Sequence, residues 1–275
     1  MKQALKLIFW LLIPLAVGFA GRVGAQATPG LAIPGSGDWE VVLKQLADAY
    51  VRAYPGQSIE VPASTGSSGG IRSVINNTAI VGRVARPLKT EQLRTGIKWH
   101  PVARDAVVFA VGERVELKSL GGNELAAVFA GRITDWRELG GKPAPIRVLV
   151  RESTDTVHQV IVNRLDPFRN LVLTDQAKMV VKTAEMIEML GRYRTSIGWV
   201  TQSAITLTDS GAHPIALDGI APTVENLGSG KYPLSIDYAF IYRPERLDRT
   251  ARDFLAFVGS EAGRAIILRA GLAPL

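Results

Sequence analysis

The chain contains no cysteine. That absence excludes disulfides, cysteine-ligated zinc, iron–sulfur clusters and thiol nucleophiles together. Histidine is scarce: only His100, His158 and His213 occur, and no two lie within one helical turn of each other. No local metal motif exists, and no cofactor is expected. After the first 20 residues there is no apolar run long enough to span a membrane. Internal repeats, low-complexity tracts and a Pro-rich linker between sequential domains are also missing. What is present is globular: 47% hydrophobic and 21% charged residues over 275 positions, room for one large domain or two lobes.

Lys2 and Lys6 precede an apolar run from Leu7 to Phe19, interrupted only by Pro14 and Gly18, and Val23-Gly24-Ala25 then offers small residues. This is the pattern of a secretory signal, with cleavage expected after Ala25 and a periplasmic, exported chain of residues 26–275. The run is shorter than the roughly 20 residues a spanning helix needs. Lys2, Lys6 and Arg22 leave with the leader and no acid does, so the formal charge of +7 falls by three to +4. That excess is too mild to imply nucleic acid as a partner.

Strand and helix patterns alternate along the rest, which predicts an α/β fold. Trp39, Val42, Leu43, Leu46, Ala49, Tyr50 and Ala53 recur at helical steps, with Ser36 or Asp38 as a cap and Pro55-Gly56 as the stop. A short strand is expected over 58–62, a Ser/Thr/Gly loop over 63–70 and a helix over 71–77. Ala106 to Val111 has the continuous apolar character of a buried central strand. Further strands are expected over 146–150, 196–201, 213–217 and 238–242. Further helices are expected over 123–129, 157–165, 250–257 and 260–268, with Thr183 capping one that runs to Leu190. Trp39, Trp99, Trp136 and Trp199 are expected to pack in the core or between lobes rather than to stack on a ligand, and Met179, Met186 and Met189 to serve in helix packing.

Three segments share one design, a small polar loop just before a helix: Gly35-Ser36-Gly37, Ser64 through Gly70, and Arg151 through Thr156. A helix start carries unpaired N–H groups and a partial positive charge, so it favours an anion. Hydroxyls add neutral donors, and Arg86 and Arg151 add charge that can grip an oxyanion with paired hydrogen bonds. An alternative exists in Gly66-Ser67-Ser68-Gly69-Gly70. It matches the G-x-S-x-G elbow of serine hydrolases, with the three histidines as available bases.

The loops, in this order, resemble those of the phosphate-binding proteins of bacterial ABC importers, within the type II periplasmic binding protein fold. The resemblance is carried by Gly35-Ser36-Gly37, Thr65 through Ile71, Ala85-Arg86-Pro87-Leu88, Ala103 through Val111, Phe129 through Trp136, Ser196-Ile197-Gly198-Trp199 and Gly230-Lys231-Tyr232-Pro233-Leu234. It implies two lobes, each a mixed sheet flanked by helices, with a ligand cleft between them. Lobe 1 would comprise 26–104 plus 225–275, and lobe 2 would comprise 105–224. The site it implies is Ser36, Thr65, Gly66, Ser67, Ser68, Gly69, Arg86, Arg151, Ser153, Thr154 and Thr156. The implied function is capture of an inorganic oxyanion, phosphate first, by a monomer that delivers it to an ABC permease. Molybdate, tungstate or sulfate binding and a ligand-sensing or interaction role are the alternatives. Two departures stand out. Ala85 replaces the usual Ser before Arg-Pro, and Glu152 and Asp155 flank Ser153 and Thr154 where the family commonly has Gly-Ser-Gly-Thr. Asp155 is expected either to cap the next helix or to accept a proton from the ligand, which would select a protonated oxyanion.

Overall fold

The computed structural model describes residues 30–275. The expected leader, residues 1–25, lies outside the described residues. β1 (Leu31–Ala32) leads through Pro34 and Gly35 into α1 (Glu40–Ala53). Val42, Leu43, Leu46, Ala47 and Tyr50 form the buried stripe of α1. The helix stops at Tyr54, which Pro55 pushes out of the helical region. β2 (Ile59–Glu60) pairs in parallel with β1 and hands the chain to α2 (Gly66–Ile75).

α2 begins five residues earlier than its sequence spacing predicts, inside the Ser/Gly loop. Glycine disfavours helix locally, but here close packing decides. A Cβ on Gly70 would sit 2.9 Å from both the Arg83 carbonyl oxygen and the Gly35 Cα. The chain then forms β3 (Val81–Val84), α3 (Thr90–Leu93) and β4 (Lys98–Val111). β5 (Ser119–Leu120), α4 (Gly122–Phe129), β6 (Arg147–Arg151), α5 (Thr156–Arg164) and β7 (Lys178–Val180) follow. Next come α6 (Thr183–Arg192), β8 (Ser196–Thr201), α7 (Gln202–Thr206), β9 (His213–Pro214), β10 (Ala216–Leu217) and α8 (Val224–Gly228). β11 (Ser235–Tyr242), α9 (Arg249–Gly259), α10 (Glu261–Arg269) and β12 (Ala273–Pro274) complete the chain.

The main sheet is mixed, in the order β3-β11-β4-β8-β6-β7, with β9 and β12 also on β4. β4 changes partners along its length. Residues 98–106 pair antiparallel with β11, and 107–111 pair antiparallel with β8. β8, β6 and β7 are parallel. Ala106 through Val111 are fully covered, as their unbroken apolar run predicts. Trp39 stacks on Tyr238 with ring centroids 5.3 Å apart, and Trp199 stacks on Phe129 at 4.6 Å. A smaller core of Ile71, Val74, Val84, Leu88, Ile97, Ala239 and Ile241 fills the other face of β3 and β11. Trp99 is half-buried, packed at the edge of that smaller core. One expectation needs correction. Met179 belongs to edge strand β7, not to a helix, and half of it is exposed because the sheet ends there.

Because Gly70 packs directly against backbone that cannot yield, Gly70→Ala is expected to destabilise the protein by about 1–3 kcal/mol. Urea unfolding would measure it.

Candidate functional site

Residues of four chain segments and two arginines converge on a cavity of about 430 Å³. Gly35 sets the first wall. Its φ is +143° and a Cβ would lie 1.9 Å from the Arg83 carbonyl oxygen, so only glycine lets the loop cross β3 there. Arg83, completely buried, then binds the loops from behind. Its Nε donates to the Ser36 carbonyl at 2.7 Å, Nη1 donates to the Ile33 carbonyl, and Nη2 donates to the Pro62 carbonyl at 2.7 Å and reaches Glu40 at 3.3 Å. Its burial lowers its pKa to about 10, with Glu40 opposing the shift.

The second wall is the start of α2. Thr65 through Ser68 line the cavity, so the unpaired N–H groups and positive end of a ten-residue helix lie at its surface. The Ser67 hydroxyl accepts from Ala85 N–H at 3.1 Å, which ties this wall to the chain just after β3. Arg86, half-buried, donates from Nη1 to the Pro87 carbonyl and to Gln92. Burial lowers its pKa, against the charge of Glu91.

Arg151, the last residue of β6, supplies the third wall with Thr154 and Thr156. Its side chain is 7% exposed. Nη2 pairs with Asp155 at 2.7 Å and Nη1 donates to the Thr183 hydroxyl at 3.1 Å. Nε is buried and has no partner among the described residues. Asp155 takes the first of its two expected roles, capping α5 by accepting from His158 N–H, and its residue also lines the cavity. Its pKa rises to about 6, first because it is buried and second because Asp38 is nearby, while Arg151 pulls it down.

Asp38 joins these walls. Its Oδ1 accepts from the Thr183 hydroxyl at 3.0 Å and its Oδ2 from the Ser36 hydroxyl at 3.1 Å. Its carbonyl accepts from the Tyr238 hydroxyl at 2.9 Å, a proton that Asp105 competes for at 2.7 Å. The expected capping roles of Ser36, Asp38 and Thr183 are therefore corrected: α1 and α6 have no side-chain cap, because these polar groups bond to one another across the cavity.

Of the residues expected at the site, Ser36, Thr65, Gly66, Ser67, Ser68, Arg86, Arg151, Thr154 and Thr156 line the cavity. Gly69 and Ser153 do not. Gly69 packs against Thr65 inside α2, and Ser153 is exposed with its carbonyl accepting from Gln159. Gly37 and Ser64, named only as members of the donor loops, also line the cavity, and the lining residues the sequence reading did not place there are Asp38, Val181, Lys182 and Thr183. Asp38 was within reach, because it directly follows the Gly-Ser-Gly loop. Ionised, Arg86, Arg151 and Lys182 balance Asp38, Glu152 and Asp155, so attraction here rests on directed donors more than on net charge.

No histidine lines the cavity. His100 bonds the Tyr242 hydroxyl, His158 packs on Trp199, and His213 lies on β9. A serine nucleophile in Gly66–Gly70 would therefore have none of the three expected histidine bases at the cavity. Among the described residues no cluster could hold a metal, and no helix is long and apolar enough to cross a membrane.

A family model described as a PBP superfamily domain matches residues 21–262. The phosphate-binding protein PstS of Borreliella burgdorferi is 24% identical over 277 residues, covering 98% of both chains. That of Bacillus subtilis is 26% identical over 255 residues, covering 91% of this chain and 82% of the other. Among solved structures, a putative phosphate ABC transporter substrate-binding protein from Clostridium perfringens, with bound phosphate, superposes with a TM-score of 0.78. It is 26% identical and the match covers 90% of this chain and 99% of that one.

Behind the cavity, Asp105 is wholly buried and accepts from Ser203, Tyr238 and Ala106 N–H. Burial outweighs these bonds and lifts its pKa from 3.8 to about 6. Folding therefore takes up a proton between about pH 4 and 6, and stability falls as pH rises through that window. Asp155 contributes with the same sign. Unfolding measured across this range should show the decline, and Asp105→Asn should shrink it without removing it.

Proposed function

From the premise that the chain belongs to the PBP superfamily, we propose that it is an exported solute-binding protein that holds phosphate in this cavity and delivers it to the permease of an ABC importer. The observation that carries the reading is the donor and acceptor set around one cavity. The start of α2, the hydroxyls of Thr65, Ser67, Ser68, Thr154 and Thr156, and Arg86 and Arg151 offer hydrogen bonds to an oxyanion, while Ser36 lines the cavity with its hydroxyl donated to Asp38. Arg151 Nε is a buried donor still without a partner.

The carboxylates of Asp38 and Asp155 sharpen the choice of anion. A carboxylate beside an oxyanion is repulsive unless a proton lies between them. Phosphate near neutrality keeps a proton to donate, and sulfate keeps none. The site is thereby matched to phosphate over sulfate, molybdate and tungstate. No chemistry on the ligand is needed: the protein binds, orients and releases.

We take the lobes to be those expected from the sequence, 26–104 plus 225–275 and 105–224. The change of partners along β4 supports it, since β3, β11 and β12 pair with its first part and β8 and β9 with its last. Asp38 and Thr183 then sit on opposite lobes, so their hydrogen bond spans the cleft, and closure by a hinge through β4 brings them together. Export rests on the Lys2 to Ala25 pattern, with the chain beginning at Gln26 after cleavage.

Calorimetric titration with phosphate, sulfate and molybdate tests the reading. Phosphate should bind far tighter than millimolar, that is, beyond about −4 kcal/mol. Arg151→Ala should weaken it by about 2 kcal/mol or more, because it deletes the unpartnered Nε donor and strands Asp155. Asp38→Asn, which replaces an acceptor-only group by one that also donates, should raise sulfate affinity relative to phosphate by about tenfold or more. If no oxyanion binds better than millimolar, the proposal fails.

A further inference from the structure

A second cavity lies at the other end of β6. Arg147 opens that strand and Arg151 closes it, about 13 Å apart. The cavity, about 610 Å³, is lined by Arg114, Arg147, Lys178, Arg192, Tyr193 and Arg194 among others, and by no acidic residue. Only Arg194 is ion-paired, with Glu113. Arg114, Arg147, Lys178 and Arg192 have no salt bridge among the described residues. The groove is also partly pre-organised. The Arg147 guanidinium sits 4.1 Å from the centre of the Tyr193 ring, and that of Arg192 sits 5.8 Å away.

The placement of charge is unequal. Residues 30–275 carry a formal net charge of +4. The four unpaired cations of this one groove equal that whole excess, so the remaining surface is balanced overall. Like charges held together without counterions raise the energy of the free protein and are relieved by a bound polyanion. Four of the five cations are arginines, whose planar donor forks match tetrahedral and planar oxyanions. The concave shape suits a strand-like ligand better than a flat bilayer.

We propose that this groove binds an extended phosphate polyanion, a linear molecule whose phosphate groups are spaced closely enough to meet several of these guanidinium groups at once. The site is separate from the interlobe cavity and shares no lining residue with it.

The test is titration of the whole protein with medium-chain inorganic polyphosphate, the interlobe cavity being kept full with excess orthophosphate. Log affinity should fall linearly with log salt, with a slope of about three for four neutralised phosphates. Arg147→Ala should lower that slope by about one. The double variant Arg147→Glu/Lys178→Glu should abolish binding while the protein still unfolds in one cooperative transition and keeps its orthophosphate affinity. Absence of polyphosphate binding at low salt, or binding indifferent to the double reversal, overturns the proposal. Equal affinity for poly-glutamate, or binding to anionic phospholipid vesicles without binding to soluble polyphosphate, also overturns it, in favour of an acidic polypeptide or a membrane surface. Because no cavity residue lines the groove, failure of orthophosphate to bind would leave this result readable.

Discussion

The hydrogen bond from the Thr183 hydroxyl to Asp38 is the contact on which the interlobe site depends. Thr183 accepts from Arg151 while donating to Asp38, and Arg151 pairs with Asp155. A cation, a hydroxyl and two carboxylates are thus held in one chain across the cavity. Both carboxylates are acceptors, and they are close enough for the charge of Asp38 to raise the pKa of Asp155. Under the proposed function, an anion entering this chain brings a proton or is repelled, so selection of a protonated oxyanion would follow from how the walls are joined.

The rigidity of that chain comes from buried polar groups behind it. Arg83 satisfies three loop carbonyls at once, which fixes the two loops that carry Ser36 and Thr65. Burying a guanidinium is unfavourable unless its donors are engaged, and here each of its three nitrogens donates at least one hydrogen bond. Tyr238 and Asp105 do the same for the Asp38 backbone. The glycines have a complementary part: Gly35 and Gly70 let backbone approach backbone where any side chain would collide. Small and fully bonded groups sit where the loops meet, and large apolar groups such as Trp39 fill the space beneath.

Much of this was legible in the sequence. Alternating strand and helix patterns predict the α/β class, and Ala106–Val111 announces the central strand because a strand covered on both faces needs no polar residue. The donor loops could be found because glycine, serine and arginine before a helix have few other uses in combination. The rest was hidden for physical reasons. Asp38 and Thr183 are good helix caps by local chemistry, and what joins them to each other is a contact across 145 residues that no local pattern announces. α2 starts within glycines that local propensity places outside a helix. Gly69 and Ser153 belong to the right loops, but a helical turn and an outward-facing bend carry them away from the cavity. The five cations of the second groove come from distant segments, and no spacing rule joins them.

A crystal structure of the protein grown with phosphate tests the central claim most directly. The account predicts one phosphate in the interlobe cavity, with an oxygen accepting from Arg151 Nε and another within hydrogen-bond distance of the Asp38 or Asp155 carboxylate. An empty cavity at saturating phosphate, or an anion bound without either carboxylate, would contradict it.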